Sequence, residues 1–235
     1  MRLFLLVVFC TLIFNCEDKH SKKKTPTATI DSTQLKTETF KANTDTASEA
    51  KEEPFLLTKD NAMEFFLHYE KEHKENKVRI VTDFGNIDIL LFNETKFHRA
   101  NFIYLIKKGY FDNTQFYRVI DNYIIQGGST DDRDVMKKRR YIGKYLLPTD
   151  TKRGFRHDRG VISMPSSDIE NPYKLASPYE FFITLRDVYQ LDGDYTIFGK
   201  VISGLEVADK IAKVETDDGD WPHDNVYIRK VEILE

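Results

Sequence analysis

From Lys77 onward the chain is cut into short stretches in which apolar residues alternate with polar ones, and turn residues separate each stretch from the next. In KVRIVTDFGNIDILLF (77–92), Val78, Ile80 and Thr82 alternate with charged or polar neighbours. Phe84-Gly85-Asn86 interrupts the pattern, and Ile87, Ile89 and Leu91 then resume it. A period of two presents one apolar face per strand, so this segment is a predicted β-hairpin. Further strands are predicted at 115–120, 123–127, 160–164, 180–185, 195–201 and 226–233. Eight short strands in one domain leave few solutions. An open sheet exposes edges that pair with other chains, whereas closure removes them. The expected fold is mainly β, a closed eight-stranded antiparallel barrel.

Three helices interrupt the strands. Over 58–75, Ala62, Phe65, Phe66 and Tyr69 fall on one face, and Asn61 with Glu64 has the spacing of a capping box. Over 96–107, Phe97, Phe102, Ile103, Leu105 and Ile106 are apolar, and Gly109 is placed to stop the helix. Over 204–213, Leu205, Val207, Ala208 and Ile211 supply the apolar face.

The first 53 residues belong to neither pattern. MRLFLLVVFCTLIFNC opens with one Arg and an apolar run, Leu3–Phe14. That run is too short for a helix spanning a bilayer core of roughly 30 Å, and it suits the apolar region of a signal peptide. Its end, Ile-Phe-Asn-Cys, resembles a bacterial lipoprotein processing site. The resemblance implies a signal peptide over 1–15, lipidation at Cys16 and a membrane held through acyl chains, at a bacterial cell envelope. The other cysteine, Cys10, falls in the removed segment, so no disulfide is expected. Residues 16–53 are rich in Lys, Thr, Ser and acidic residues, with one aromatic, Phe40. Such a segment cannot bury enough apolar surface to offset its ordering entropy and reads as a tether. About 180 residues remain, enough for one domain. We expect an added helix over 54–76, the main domain over 77–235, and a monomer. The net charge is −3 and no basic stripe runs along the chain, which argues against nucleic acid as a partner.

One stretch stands out chemically. FYRVIDNYIIQGG (116–128) is mostly apolar, yet it carries Arg118 and Gln126. A guanidinium in an apolar run is costly unless solvated or paired. Strict alternation puts Phe116, Arg118 and Ile120 on one face, Tyr117 and Val119 on the other, and Ile124 with Gln126 on a shared face. Arg118 and Gln126 can then project toward one shallow site, flanked by Tyr123 and Ile124.

This stretch closely resembles the signature of the cyclophilin family of peptidyl-prolyl isomerases. NFIYLIKKGYFDNTQFYRVI (101–120), RGVISMPSS (159–167), EFFITL (180–185) and LDGDYTIFGKVISGLEVADKI (191–211) resemble further family segments, in the family's order. The resemblance covers 77–235 and leaves 58–75 outside. It implies a barrel capped by two helices, no cofactor, no metal, and proline-containing polypeptides as substrates. By position, Arg118 takes the family's catalytic arginine, Gln126 the glutamine that orients it, and Phe182 and Leu191 the floor and wall of a proline pocket. Tyr123, Ile124, Met164, Ser166, Glu180 and Tyr195 take substrate-binding positions. Several are departures: Tyr195 replaces a histidine, Glu180 a glutamine, and Pro165-Ser166 an Ala-Asn pair.

Other chemistries are poorly supported. GDYTIFGK (193–200) misses the spacing of a phosphate-binding loop, and Val201 stands where Ser or Thr is required. DDRD (131–134) and DDGD (217–220) lack a calcium loop's ligand pattern and read as solvated loops. His157 reads as a loop or packing histidine. Three functional readings stay open at this point: an isomerase, a proline-peptide binding module or chaperone with weak or no catalysis, and a scaffold or surface adhesion domain.

Overall fold

In this computed structural model the described residues are 55–166 and 171–235. The signal segment, Cys16 and the whole tether lie outside them. Eight strands close into a barrel: β2 (Lys77–Thr82), β3 (Gly85–Leu91), β4 (Thr114–Ile120), β5 (Ile124–Ser129), β7 (Val161–Met164), β8 (Phe181–Thr184), β9 (Thr196–Ser203) and β10 (Val226–Ile233). Around the barrel the order is β10-β2-β3-β9-β7-β8-β5-β4, with every pairing antiparallel. The expected barrel is therefore present, each strand within a few residues of its predicted span.

The barrel interior is filled by Val78, Ile80, Ile87, Ile89, Phe116, Val119, Ile125, Phe181, Ile183 and Phe198, against α2 (Lys96–Lys107) and α4 (Leu205–Ile211). Phe102 of α2 meets Phe111, Phe181 and Phe198 at ring separations of 4.8, 5.7 and 5.4 Å. Gly109, at φ 59, ends α2 as expected. Its N–H donates to Ile106 O and that of Tyr110 to Leu105 O, which satisfies two of the last helical carbonyls.

The N-terminal helix α1 spans Ala62–Glu72, shorter than 58–75. Asn61 stands at its start without capping it, so the capping box does not form. The Asn61 amide bonds backward instead, accepting from Thr58 N at 2.7 Å and donating to Leu56 O at 2.9 Å. This ties down the residues before the helix. Among them, Leu57–Thr58 (β1) pairs in parallel with Gly143–Lys144 (β6). Helix α1 buries Phe66 against Tyr104 of α2 and Tyr145, at 5.9 and 5.8 Å. Arg99 of α2 is fully buried beneath it and donates to the carbonyls of His73 (2.7 Å) and Glu75 (3.2 Å), beside the Glu70 carboxylate.

Two expectations are corrected. DDRD is not a loop: Asp132 caps a fourth helix, α3 (Arg133–Ile142), accepting from Asp134 N and Val135 N at 2.8 and 3.2 Å. Only Ile142 of α3 is buried, so the helix carries no apolar stripe to find in the sequence. It docks through polar groups, Lys138 Nζ donating to the carbonyls of Gly109 and Asp112 at 2.8 Å each. The second correction concerns β4. Phe116 pairs with Gly127 and Arg118 with Gln126, so two steps along β4 meet one along β5. This β-bulge shifts the alternation. Phe116 enters the core while Arg118 faces outward, its side chain 41% exposed.

Candidate active site

The strand registers place Arg118 opposite Gln126, Gln126 opposite Phe182, and Phe182 opposite Ser163. Paired residues on neighbouring strands share a face. One row thus crosses β4, β5, β8 and β7 on the outside of the barrel: guanidinium, amide, phenyl ring, hydroxyl. The intervening residues Phe116, Ile125, Phe181 and Ile162 belong to the core. The cation in the apolar stretch is resolved by this geometry, because the bulge puts its charge at the surface.

The polar end of the row is organised differently from expectation. Gln126 Nε2 donates to the Tyr117 hydroxyl rather than contacting Arg118. Arg118 Nε instead donates to Asp220 Oδ2 at 3.2 Å. Glu180, one of the departures from the family pattern, accepts from Arg139 Nη2 at 3.1 Å. Arg139, from α3, also donates from Nε to Tyr110 OH at 2.8 Å and lies over the Tyr179 ring at 5.0 Å. Burial works against the Arg139 charge, yet Tyr110 and Glu180 beside it leave its pKa above the ordinary arginine value. Burial, with the Glu180 charge adding to it, pushes the Tyr117 phenol well up. That hydroxyl stays protonated at neutral pH and keeps the Gln126 amide nitrogen occupied.

The apolar end is the face of Phe182, 3% exposed. Tyr195 meets it edge-on at 5.7 Å, and His157 lies parallel to it at 6.0 Å. His157 is fully buried, with Nδ1 2.7 Å from Asp192 Oδ1 and Nε2 3.1 Å from Ser163 Oγ. Burial holds its pKa below the usual histidine value, so the ring is neutral at pH 7. A carboxylate can only accept, so Nδ1 carries the proton and Nε2 accepts from the Ser163 hydroxyl. A Ser–His–Asp chain of this kind suggests a nucleophile, but Ser163 is 0% exposed and no substrate reaches it. The chain braces the ring floor instead.

The remaining expected residues spread around this floor. Ile124, 4% exposed, precedes Gln126 by two on the outer face of β5. Tyr123 is half-buried, with the Arg186 guanidinium 5.5 Å from its ring centre. Leu191 closes the short 3-10 turn Tyr189–Leu191 and is half-buried. Ser166 is half-buried and bridged to Ala176. Met164 is displaced from its expected role: alternation along β7 sends it into the core at 1% exposure, while Ser163 faces the floor. Among the described residues, no cluster of three or more His, Cys, Asp or Glu is arranged to hold a metal.

Sequence reasoning missed Tyr117, Arg139, Asp192 and Asp220, and it underrated His157. Only the Arg-His-Asp-Arg-Gly context of His157 offered a local hint. Asp220 lies 102 residues from its partner Arg118, with nothing local to link them.

Comparison with known proteins identifies the barrel's family. Residues 77–233 match the family described as cyclophilin type peptidyl-prolyl cis-trans isomerase/CLD. A peptidyl-prolyl cis-trans isomerase-like 2 of Rhizopus delemar is 36% identical over 168 residues, 71% of this chain and 30% of that protein. A peptidyl-prolyl cis-trans isomerase of Acinetobacter baylyi is 33% identical over 163 residues, 67% of this chain and 82% of that protein. The match to the first of these thus spans about three tenths of that relative's length. The crystal structure of a Cryptosporidium parvum cyclophilin type peptidyl-prolyl cis-trans isomerase superposes with a TM-score of 0.59 at 31% identity, covering 68% of this chain and 98% of that one. A second structure of that protein, in the presence of the dipeptide Ala-Pro, gives 0.58 at 32% identity, over 68% and 99%.

Proposed function

The chain belongs to the family of cyclophilin-type peptidyl-prolyl cis-trans isomerases, and from that premise we propose that it accelerates X-Pro bond rotation, with Arg118 as the catalytic donor over a Phe182 floor. Rotation about the bond is opposed by amide resonance, a barrier of roughly 18–20 kcal/mol. No bond is made or broken, so positioned donors and an apolar seat are enough. In the twisted state the imide nitrogen becomes pyramidal and gains a lone pair. A guanidinium N–H aimed at that nitrogen favours the twisted state over the planar one, which is what lowers a barrier. Lowering it by about 6 kcal/mol corresponds to roughly four decades of rate.

The observation that carries this reading is the row Arg118–Gln126–Phe182, which sets a cation beside an apolar ring on one outer face. The pyrrolidine ring would sit on Phe182 between Tyr195, Ile124 and Leu191. Tyr123 borders this seat. Arg118 keeps its Nη groups for the substrate while Nε is engaged by Asp220. Glu180 with Arg139, and Ser166 bridged to Ala176, border the groove for the residues flanking proline. The apolar leader and the Ile-Phe-Asn-Cys sequence support lipidation at Cys16 and clients among exported proteins at a bacterial envelope.

The test is NMR exchange spectroscopy on an Ala-Pro peptide with the full chain and Arg118→Ala. We expect fast cis/trans exchange with the parent and a loss of about two decades in kcat/KM in the variant. Exchange no faster than that of the peptide alone, with a folded parent, would overturn the isomerase reading.

A further inference from the structure

Asp220 lies outside the recognised motifs, yet it is the acidic partner of Arg118. The loop that carries it, between α4 and β10, is rigid by construction. Asp217 Oδ1 accepts from the N–H groups of Gly219 and Trp221 at 2.8 and 2.9 Å, and Asp217 N–H donates to Trp221 O at 2.9 Å. Thr216 bridges Pro222 across the loop neck. The loop is also fastened to the bulged strand, since Val119 N–H donates to Asp220 O at 2.8 Å and Trp221 packs on the Tyr117 ring at 5.6 Å. Asp220 itself is held at φ 65, a left-handed conformation that Asp and Asn tolerate better than most residues.

An exposed ion pair between two free side chains is worth little, because ordering both offsets the attraction. Here the backbone that carries the short Asp220 side chain is already held, so most of the ordering falls on the arginine. Gln126 bonds through its Nε2 to the Tyr117 hydroxyl and makes no hydrogen bond to the guanidinium. We infer that Asp220 is the positioning residue for Arg118, fixing the guanidinium through Nε so that its Nη donors point over the Phe182 floor. This rests on the isomerase reading above. Its chemical consequence is specific. The donor acts on the twisted imide, not on the planar ground state, so losing the positioning lowers kcat and leaves KM nearly unchanged.

The test uses the full chain with Asp220→Gly and Asp220→Asn, both of which accept φ 65 without strain. For Asp220→Gly, kcat on an Ala-Pro peptide should fall about fivefold with KM unchanged. Asn retains an oxygen acceptor for Nε, so Asp220→Asn should recover most of that loss. In 15N spectra, the Arg118 Nε–H resonance, assigned by its absence in Arg118→Lys, should shift in the Gly variant. An active parent with Asp220→Gly equal to it in kcat, or altered only in KM, overturns this role while leaving the isomerase reading intact. A faster Gly variant would make Asp220 a competitor of substrate and overturn it as well. A folded parent without catalysis overturns both.

Discussion

At the scale of single residues, the site depends on how far each polar group is paired. Arg118 is paired and half-exposed, so its charge costs little. His98, on α2, is the opposite case. It is 1% exposed, and neither ring nitrogen has a hydrogen-bond partner. Burial drives its pKa down to about 4, only weakly opposed by the charge of Asp150. The unfolded chain takes up that proton near pH 6.5, whereas the folded one resists it. The stability this group contributes is therefore complete above about pH 6.5 and lost as pH falls toward 4, by up to about 3 kcal/mol. His157 titrates in the same direction, also through burial. We expect urea midpoints between pH 7 and pH 4.5 to fall less in His98→Phe than in the parent. Parallel falls would show that His98 finds a partner on protonation. Arg118 and Gln126 were legible because one contiguous motif marks them, and Phe182 because the separate segment EFFITL (180–185) does. The identity of their partners was not, because Asp220 and Arg139 come from distant segments.

Elements with an apolar stripe were readable in the sequence, and elements held by polar contacts were not. Helix α2 and the eight barrel strands fall where periodicity puts them, since burying one face is what forms them. Helix α3 escaped because Lys138 and Arg139 anchor it through carbonyls, Tyr110 and Glu180. The pair β1–β6 escaped because two residues have no detectable period and the partner strand is 86 positions away. Its weak point is Gly143, at φ 134, where an added Cβ would lie 1.9 Å from Leu57 O. Gly143→Ala should therefore part β1 from β6 locally. Hydrogen exchange at Leu57–Thr58 should rise while barrel amides stay protected. Unchanged exchange there would mean that the backbone relaxes without releasing the strand.

At the scale of the whole molecule, residues 55–76 are built into the domain rather than appended to it. Truncation to 77–235 removes the Glu70 carboxylate and the two carbonyls that hold buried Arg99, and strips Phe66 from Tyr104 and Tyr145. Removing the helix uncovers Arg99 to water, which costs that group little, whereas losing the packed phenyl ring costs about 3–5 kcal/mol. The truncated chain should unfold at a much lower urea concentration than 55–235. No residue of 55–76 belongs to the site, so its isomerase activity should persist wherever it remains folded. A truncated chain of equal midpoint would make α1 a detachable element.

By itself the sequence determined the barrel, because a period of two over eight short stretches can be buried in few ways. It also marked the strands of the candidate site, because the motif around Arg118 is contiguous. Only the tertiary structure decided which face Arg118 occupies, since a single bulge residue reverses the alternation and bulges leave no periodic trace. Only the tertiary structure likewise decided that Asp220 holds Arg118 and that Arg139 neutralises Glu180. Those pairings join residues far apart along the chain, and such contacts exist only once the barrel has closed.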